Sequence, residues 1–463
     1  MFEPVVYQRR REKLKQPING GLIFLPGNID VSMNYPANTY HWRQDSDFLY
    51  FFGLDFQSLA GIIDIDEGKE YLFGDDLTID DIIWMGPQES MKERGKKAGV
   101  DHVEPYRHLR THLEKAKNAG RTIHYLPQYR AENKLLFQDI LGIGLEETRS
   151  QASVELIKSV VALRSVKEEF EIEQLEMAAA IGYEMHITAM KMAFPGQHEQ
   201  VIAGTIEGIA IKHGGMASFP VILSQHGETL HNHDHSLELK KGNMLLVDAG
   251  AESLLHYASD FTRTIPVGGK FTTRQLEIYN IVMHANNSAF KRIKPGVTYQ
   301  DIHLHASKEI AEGLTALGLM KGDPEEAVKA GAHALFFPHG LGHMMGLDVH
   351  DMENLGEDFV GYDEQTSRIK QFGTAYLRMG RALKPGFVIT NEPGIYFIPA
   401  LIDIWKKEQK FPQFLNYDKI ESYKDFGGIR LEDDILVTQD GCKFIGKRLP
   451  ITPEQIWETM NSK

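Results

Sequence analysis

Five short segments between residues 244 and 434 each set an ionisable residue among apolar or glycine neighbours. Asp248 closes the run Met244-Leu245-Leu246-Val247 and precedes Ala249-Gly250. Asp260 opens Asp260-Phe261-Thr262-Arg263-Thr264. His343 ends Pro338-His339-Gly340-Leu341-Gly342-His343. Glu392 leads Glu392-Pro393-Gly394, and Glu432 sits within Gly428-Ile429-Arg430-Leu431-Glu432-Asp433-Asp434. A fold that buries such stretches must find partners for their charges, because an unpaired buried charge is costly. Four carboxylates and one imidazole carry too much negative charge for a pocket without a cation. They suffice to hold two divalent cations and a bridging hydroxide near neutrality.

Local patterns show how these residues could meet. Leu245 to Val247 predicts a strand, and Tyr257 to Thr264 predicts a partner strand, so a hairpin would bring Asp248 and Asp260 into one pocket. Ile429, Leu431 and Ile435 alternate with Arg430, Glu432 and Asp434, which predicts a strand with one polar face. His339, His343 and His350 cluster beside Gly340, Gly342 and Gly346. His231, His233 and His235 form a second cluster, either on one strand face or in a loop.

Composition narrows the function classes. With 463 residues and 42% hydrophobic content, the chain has room for two domains with their own cores. A formal net charge of -14 without a dense Lys/Arg tract argues against nucleic acid or an acidic membrane surface as partner. Cys442 is the single cysteine, which fits a reducing compartment and a filler role rather than catalysis. Met1-Phe2-Glu3-Pro4 lacks a basic-then-apolar signal pattern, and no apolar run reaches the ~20 residues of a membrane span. A cytoplasmic location is the expectation.

The first part reads as a small α/β domain over 1–155. Strands are predicted at Leu22–Leu25, Leu49–Phe52, Gly61–Ile63 and Tyr71–Phe73, and helices at Glu89–Gly99 and His108–Lys117. A second domain follows over 156–463. Ser165 and Glu168 have capping-box spacing before a helix that runs to Phe194 and stops at Pro195-Gly196. The pattern helix, Pro195-Gly196, helix, Gly214 is echoed by helix, Pro295-Gly296, helix, Gly313. A third such turn, Lys384-Pro385-Gly386, precedes the strand that delivers Glu392.

Taken together, Asp248-Ala249-Gly250, Ser259-Asp260-Phe261-Thr262-Arg263, His339-Gly340-Leu341-Gly342-His343, Leu347-Asp348-Val349-His350-Asp351, Glu392-Pro393-Gly394-Ile395-Tyr396 and Ile429-Arg430-Leu431-Glu432-Asp433-Asp434 resemble, in order, the motifs of the pita-bread Xaa-Pro metallopeptidases, aminopeptidase P and prolidase. Arg43-Gln44-Asp45-Ser46-Asp47-Phe48 resembles the N-terminal domain of aminopeptidase P. The implied architecture is an α/β N-terminal domain followed by an α+β pita-bread catalytic domain.

The resemblance also implies roles. Asp248 would chelate one metal, Asp260 and Glu432 would bridge both, and His343 and Glu392 would complete the other. His231 and His350 would hold the substrate carbonyl and the developing oxyanion. Glu392 would also move the nucleophile's proton. His339 would line the pocket beyond the scissile bond, and Arg430 would meet the C-terminal side of the substrate. The Asp248–Asp260 spacing is one residue longer than the family pattern, which implies a bulge near Leu254-Leu255.

Carboxylate-rich coordination favours hard ions, so manganese is expected ahead of zinc or cobalt. The substrate would be a proline-containing peptide and the assembly a homodimer or homotetramer. Two activities stay open. Leu377-Arg378-Met379-Gly380-Arg381 and Phe426-Gly427-Gly428 resemble prolidase, with Arg378 at its carboxylate clamp. The 43–48 motif is closer to aminopeptidase P, which is placed first. A non-catalytic binding module and a metal-free hydrolase resembling creatinase each lack some of the five ligands that this chain keeps.

Overall fold

The computed structural model describes residues 1–462. The chain divides into one compact unit of Met1–Arg164 with Asn354–Phe359, and another built from Ser165–Glu353 and Val360 onward. The helix Val154–Ser165 runs across the sequence-based boundary at 155/156.

In the first unit a five-stranded mixed sheet has the order His102–Glu104, Lys69–Phe73, Ala60–Asp64, Leu22–Pro26, Ile123–His124. The three central strands are antiparallel and the two edge strands pair in parallel. Leu49–Phe52, expected as a strand, instead completes the helix Ser46–Phe52. Local capping decides this. The Asp45 side chain accepts hydrogen bonds from the backbone N–H groups of Asp47 and Phe48, and Gly53 ends the helix at φ +68°. The whole segment is buried, so no polar alternation separates the two readings.

The second unit contains two antiparallel helical hairpins, Glu169–Met192 with Glu199–Lys212 and Thr273–Arg292 with Tyr299–Ala316. The first helix begins after Glu168, whose backbone N–H donates to Glu171 Oε2 at 3.0 Å. Ser165 is not its cap, because Ser165 belongs to the preceding helix. Gly196 and Gly296 turn the chain at φ +88° and +83°, where a side chain would be strained.

The echo in the sequence is structural. Gly196 N–H donates to Leu239 O, and Gly296 N–H donates to Leu383 O, both at 2.9 Å. Glu199 pairs with Leu237 as Tyr299 pairs with Arg381.

Each hairpin is followed by antiparallel strands. One sheet has the order Ile222–Ser224, Met244–Ala249, Phe261–Pro266. The other has Cys442–Phe444, Asp433–Val437, Val388–Asn391. In the first, the register holds from Met244↔Pro266 through Asp248↔Thr262 to Glu252↔Ala258. No bulge interrupts this ladder, and Leu254-Leu255, where one was expected, lie in the turn between the paired segments, with Leu254 exposed and His256 at φ +66°. The predicted continuous strand 429–435 is also broken. Gly428–Arg430 pairs with Gly394–Tyr396, and Asp433–Val437 pairs with Val388–Asn391. Between them Glu432 turns aside and bridges to Thr262.

Candidate active site

All ten residues singled out from the sequence line one cavity of about 500 Å³ in the second unit: Asp248, Asp260, His343, Glu392, Glu432, His231, His339, His350, Arg378 and Arg430. Five separate segments supply the acidic floor and its histidine. Asp248 lies in a fully buried strand and Asp260 immediately precedes that strand's partner. Glu392 follows the strand Val388–Asn391. His343 comes from the glycine-rich loop, where a Cβ on Gly342 would lie 2.1 Å from Thr390 O, so only glycine permits that approach.

Hydrogen bonds fix the orientation of each group. Asp260, His343 and Glu432 each offer an atom within 4.8 Å of the others. His343 Nδ1 donates to Met344 O at 3.0 Å, which turns Nε2 toward Asp260 Oδ2 at 3.5 Å and Glu392 Oε1 at 3.7 Å. Thr262 Oγ1 donates to Glu432 Oε2 at 2.7 Å. Thr390 Oγ1 accepts from His343 N–H at 3.2 Å and donates to Glu392 at 3.4 Å. Asp434 Oδ2 accepts from Asp260 N–H at 3.0 Å.

The site fits divalent cations on two observations. Asp248 Oδ1 and Asp260 Oδ1 are buried and have no hydrogen-bond partner in the protein, an arrangement that leaves oxygens for a ligand. Burial first, and then neighbouring carboxylates, push the Asp260 and Glu432 carboxyls well above their usual range. Burial also raises Glu392. Cations among these groups would relieve that repulsion and hold the carboxylates ionised.

The walls are polar but committed. Arg430 donates from Nη2 to Asp248 Oδ2 at 2.5 Å, from Nη1 to Tyr396 Oη at 3.0 Å and from Nε to Thr262 Oγ1 at 3.1 Å. Arg430 lines the cavity, and in this fold its guanidinium pairs with Asp248. Both ring nitrogens of His339 are engaged, by Gly340 O and by Tyr396 Oη, each at 2.8 Å. His350 Nδ1 lies 2.5 Å from Glu353 Oε2. The hydrogen bond holds Glu353 down to about 2, and burial lowers His350 to about 4. A carboxylate oxygen accepts, so this contact places a His350 proton on Nδ1. A buried Lys167–Asp351 ion pair at 2.8 Å anchors the residue after His350.

The His231, His233 and His235 stretch is a loop rather than a strand. Its alternate spacing still shows, since Nδ1 of His233 and of His235 face the carbonyls of Val221 and Leu223 at 3.4 and 2.9 Å. His231 and His233 reach the cavity. Thr262, Thr390, Tyr396 and Glu353 position the site but were not singled out from the sequence. Thr262 and Tyr396 lie within the quoted motifs, and only their tertiary partners reveal what they do. Cys442 is half-buried, and burial pushes its thiol up to about 11, which suits filler rather than a nucleophile.

Comparison with known proteins agrees with this geometry. Residues 173–439 match the model of metallopeptidase family M24, and residues 7–124 match the aminopeptidase P N-terminal domain. The chain belongs to metallopeptidase family M24. Among its relatives, a probable Xaa-Pro aminopeptidase of Metarhizium robertsii is 31% identical over 92% of this chain and 89% of its own length. The Xaa-Pro dipeptidase of Homo sapiens is 30% identical over 94% of this chain and 88% of its own. A histidine-to-alanine variant of Escherichia coli aminopeptidase P superposes with a TM-score of 0.81 at 28% identity, covering 99% of this chain and 98% of that one. The chain is thus a hydrolase with the pita-bread fold.

Proposed function

We propose that this metallopeptidase is an Xaa-Pro aminopeptidase that removes the first residue of peptides with proline second. The observation that carries the reading is the cluster of buried Asp248, Asp260, His343 and Glu432 with partly exposed Glu392, and His231, His339, His350 and Arg378 around the same cavity.

Asp248, Asp260 and Glu432 would hold one cation, and Asp260, Glu432, His343 and Glu392 the other, with manganese preferred for so many carboxylate oxygens. Bound there, two such ions supply an acidified water and Lewis-acid polarisation of the scissile carbonyl. The protein's residues do the rest. Glu392, in the same cavity, accepts the proton of the attacking water and returns it to the proline nitrogen as the C–N bond breaks. The Xaa-Pro bond has no N–H, so the pocket beyond it needs no acceptor. His339, with both nitrogens already engaged, lines that pocket. His231 donates to the developing oxyanion. His350, oriented by the contact of its Nδ1 with Glu353, faces the same substrate carbonyl with its other ring nitrogen.

Arg378 gives the dipeptidase reading its support. It lines the same cavity and is one-third exposed, where a free proline carboxylate could pair with it. The discriminating assay compares Gly-Pro with Gly-Pro-Ala under manganese. Cleavage of both, with Arg378→Ala weakening Gly-Pro by about ten-fold or more and Gly-Pro-Ala little, is the expected result for a lost charge-assisted pair. Cleavage of Gly-Pro alone, abolished in R378A, makes the enzyme a dipeptidase. Equal losses on both substrates make Arg378 structural.

A homodimer or homotetramer is the expected assembly. The single cysteine supports a cytoplasmic location. No helix among the described residues is long and apolar enough to cross a membrane.

A further inference from the structure

Glu353 is absent from the motifs that define the site, yet one of its oxygens serves two site residues. Oε2 lies 2.5 Å from His350 Nδ1 and 3.2 Å from Arg378 Nε. The backbone is shaped for this. Met352 adopts φ +65°, a conformation that non-glycine residues rarely take. Glu353 N–H donates to His350 O at 3.2 Å, closing a turn that folds the carboxylate back onto the imidazole. Behind it, the Lys167–Asp351 pair is 1% exposed at both ends, and Asp351 N–H donates to Met344 O at 2.9 Å. The loop that presents Glu353 is therefore anchored.

A carboxylate at this point has two consequences. It fixes the proton of His350 on Nδ1, as derived above. It also sets a negative charge against the guanidinium that a free proline carboxylate would approach. An incoming anion meets a largely neutralised pair and a like charge beside it. A peptide that continues past proline brings a neutral amide to the same place and meets no such repulsion.

We infer that Glu353 is a positioning and specificity residue, coupling His350 to Arg378 and disfavouring substrates that end in a free proline carboxylate. The inference rests on the Xaa-Pro reading of the site. It adds the residue that biases the cavity toward longer peptides.

Glu353→Gln removes the charge and keeps the size. Steady-state kinetics of manganese-loaded E353Q on Gly-Pro and Gly-Pro-Ala should show kcat reduced on both, because the tautomer of His350 is no longer enforced. KM should fall for Gly-Pro alone, so that the ratio of kcat/KM for Gly-Pro over Gly-Pro-Ala rises by about ten-fold. Glu353→Asp, which restores the charge, should return the ratio toward that of the unaltered enzyme. Manganese content and thermal midpoint, measured alongside, show that the site is intact. A ratio that stays constant in E353Q, or moves toward Gly-Pro-Ala, overturns the inference. Absence of hydrolysis of both peptides by the unaltered enzyme overturns the Xaa-Pro reading instead. Calorimetric binding of L-proline then decides the role of Glu353 alone: tighter in E353Q supports it, and unchanged refutes it.

Discussion

The two halves of the catalytic unit share a scaffold and divide the chemistry unequally. Each opens with a helical hairpin turned at Pro-Gly, pinned by the same backbone bonds at Gly196 and Gly296, and each then supplies antiparallel strands. The first half delivers Asp248 and Asp260 from one strand hairpin. The second delivers His343, Glu392 and Glu432 from a glycine-rich loop and the ends of separate strands. Neither half holds a complete set. The halves are joined where Glu432 bridges to Thr262 and Arg430 pairs with Asp248. Repeated architecture thus sets the frame, and the site exists only where the two frames meet.

That comparison can be broken first at its joint. If both halves are required, Asp260→Asn from the first and Glu432→Gln from the second should each cost on the order of 10³-fold or more in kcat/KM and most of the bound metal. Retention of metal and rate in either variant would remove that half from the site.

Within the second half, His343 and His350 should separate a metal ligand from a positioning group, although their rings lie only 4.2 Å apart. H343A should lose metal. H350A should keep metal and lose roughly 10²-fold in rate. Equal metal loss in both would mean that the loop acts as a single ligand-bearing element.

Cation removal tests the charge balance across the joint. Asp260 and Glu432 have raised carboxyls in the cation-free fold. Their protonated forms favour that fold below the ordinary carboxylate pKa of about 4, and the contribution is lost as pH rises through the raised folded values. Cations require the ionised forms. The increase in thermal midpoint on adding manganese should therefore be larger at pH 8 than at pH 5. An increase independent of pH would place the cations elsewhere.

The smallest effects should come from the two threonines. Thr262 orients a carboxylate of the opposite half, whereas Thr390 orients groups of its own half. T262V and T390V should each lose about ten-fold in rate, the equivalent of one hydrogen bond. A larger loss in T262V would show that contact between the halves matters more than order within one.

Much of this was legible in the sequence because the candidate ligands sit in short motifs. Asp248, Asp260, His343, Glu392 and Glu432 stand out by their apolar and glycine neighbours, whereas the Pro-Gly echo fits coincidence as well as a repeat, and only the folded hairpins decide between them. Local pattern failed where burial erased periodicity. The Leu49–Phe52 segment is buried on every side, and its helix is declared only by Asp45 and Gly53. The strand 429–435 alternates correctly, yet it breaks at Glu432 because the bridge to Thr262 draws that residue aside. The resemblance implied a substrate contact for Arg430, and local pattern gave no sign of its engagement at Nε, Nη1 and Nη2. Glu353 gave no signal, since its importance lies in partners that only the folded loop supplies.

The central claim is that residues from both halves together hold two catalytic cations. The direct test titrates metal-free enzyme with manganese and follows bound metal and Gly-Pro-Ala hydrolysis in the same samples. The account predicts two ions per chain, with full activity reached only as the second site fills and neither site filled normally in D260N or E432Q. Full activity with no bound ion, or two ions retained in both variants, would contradict it.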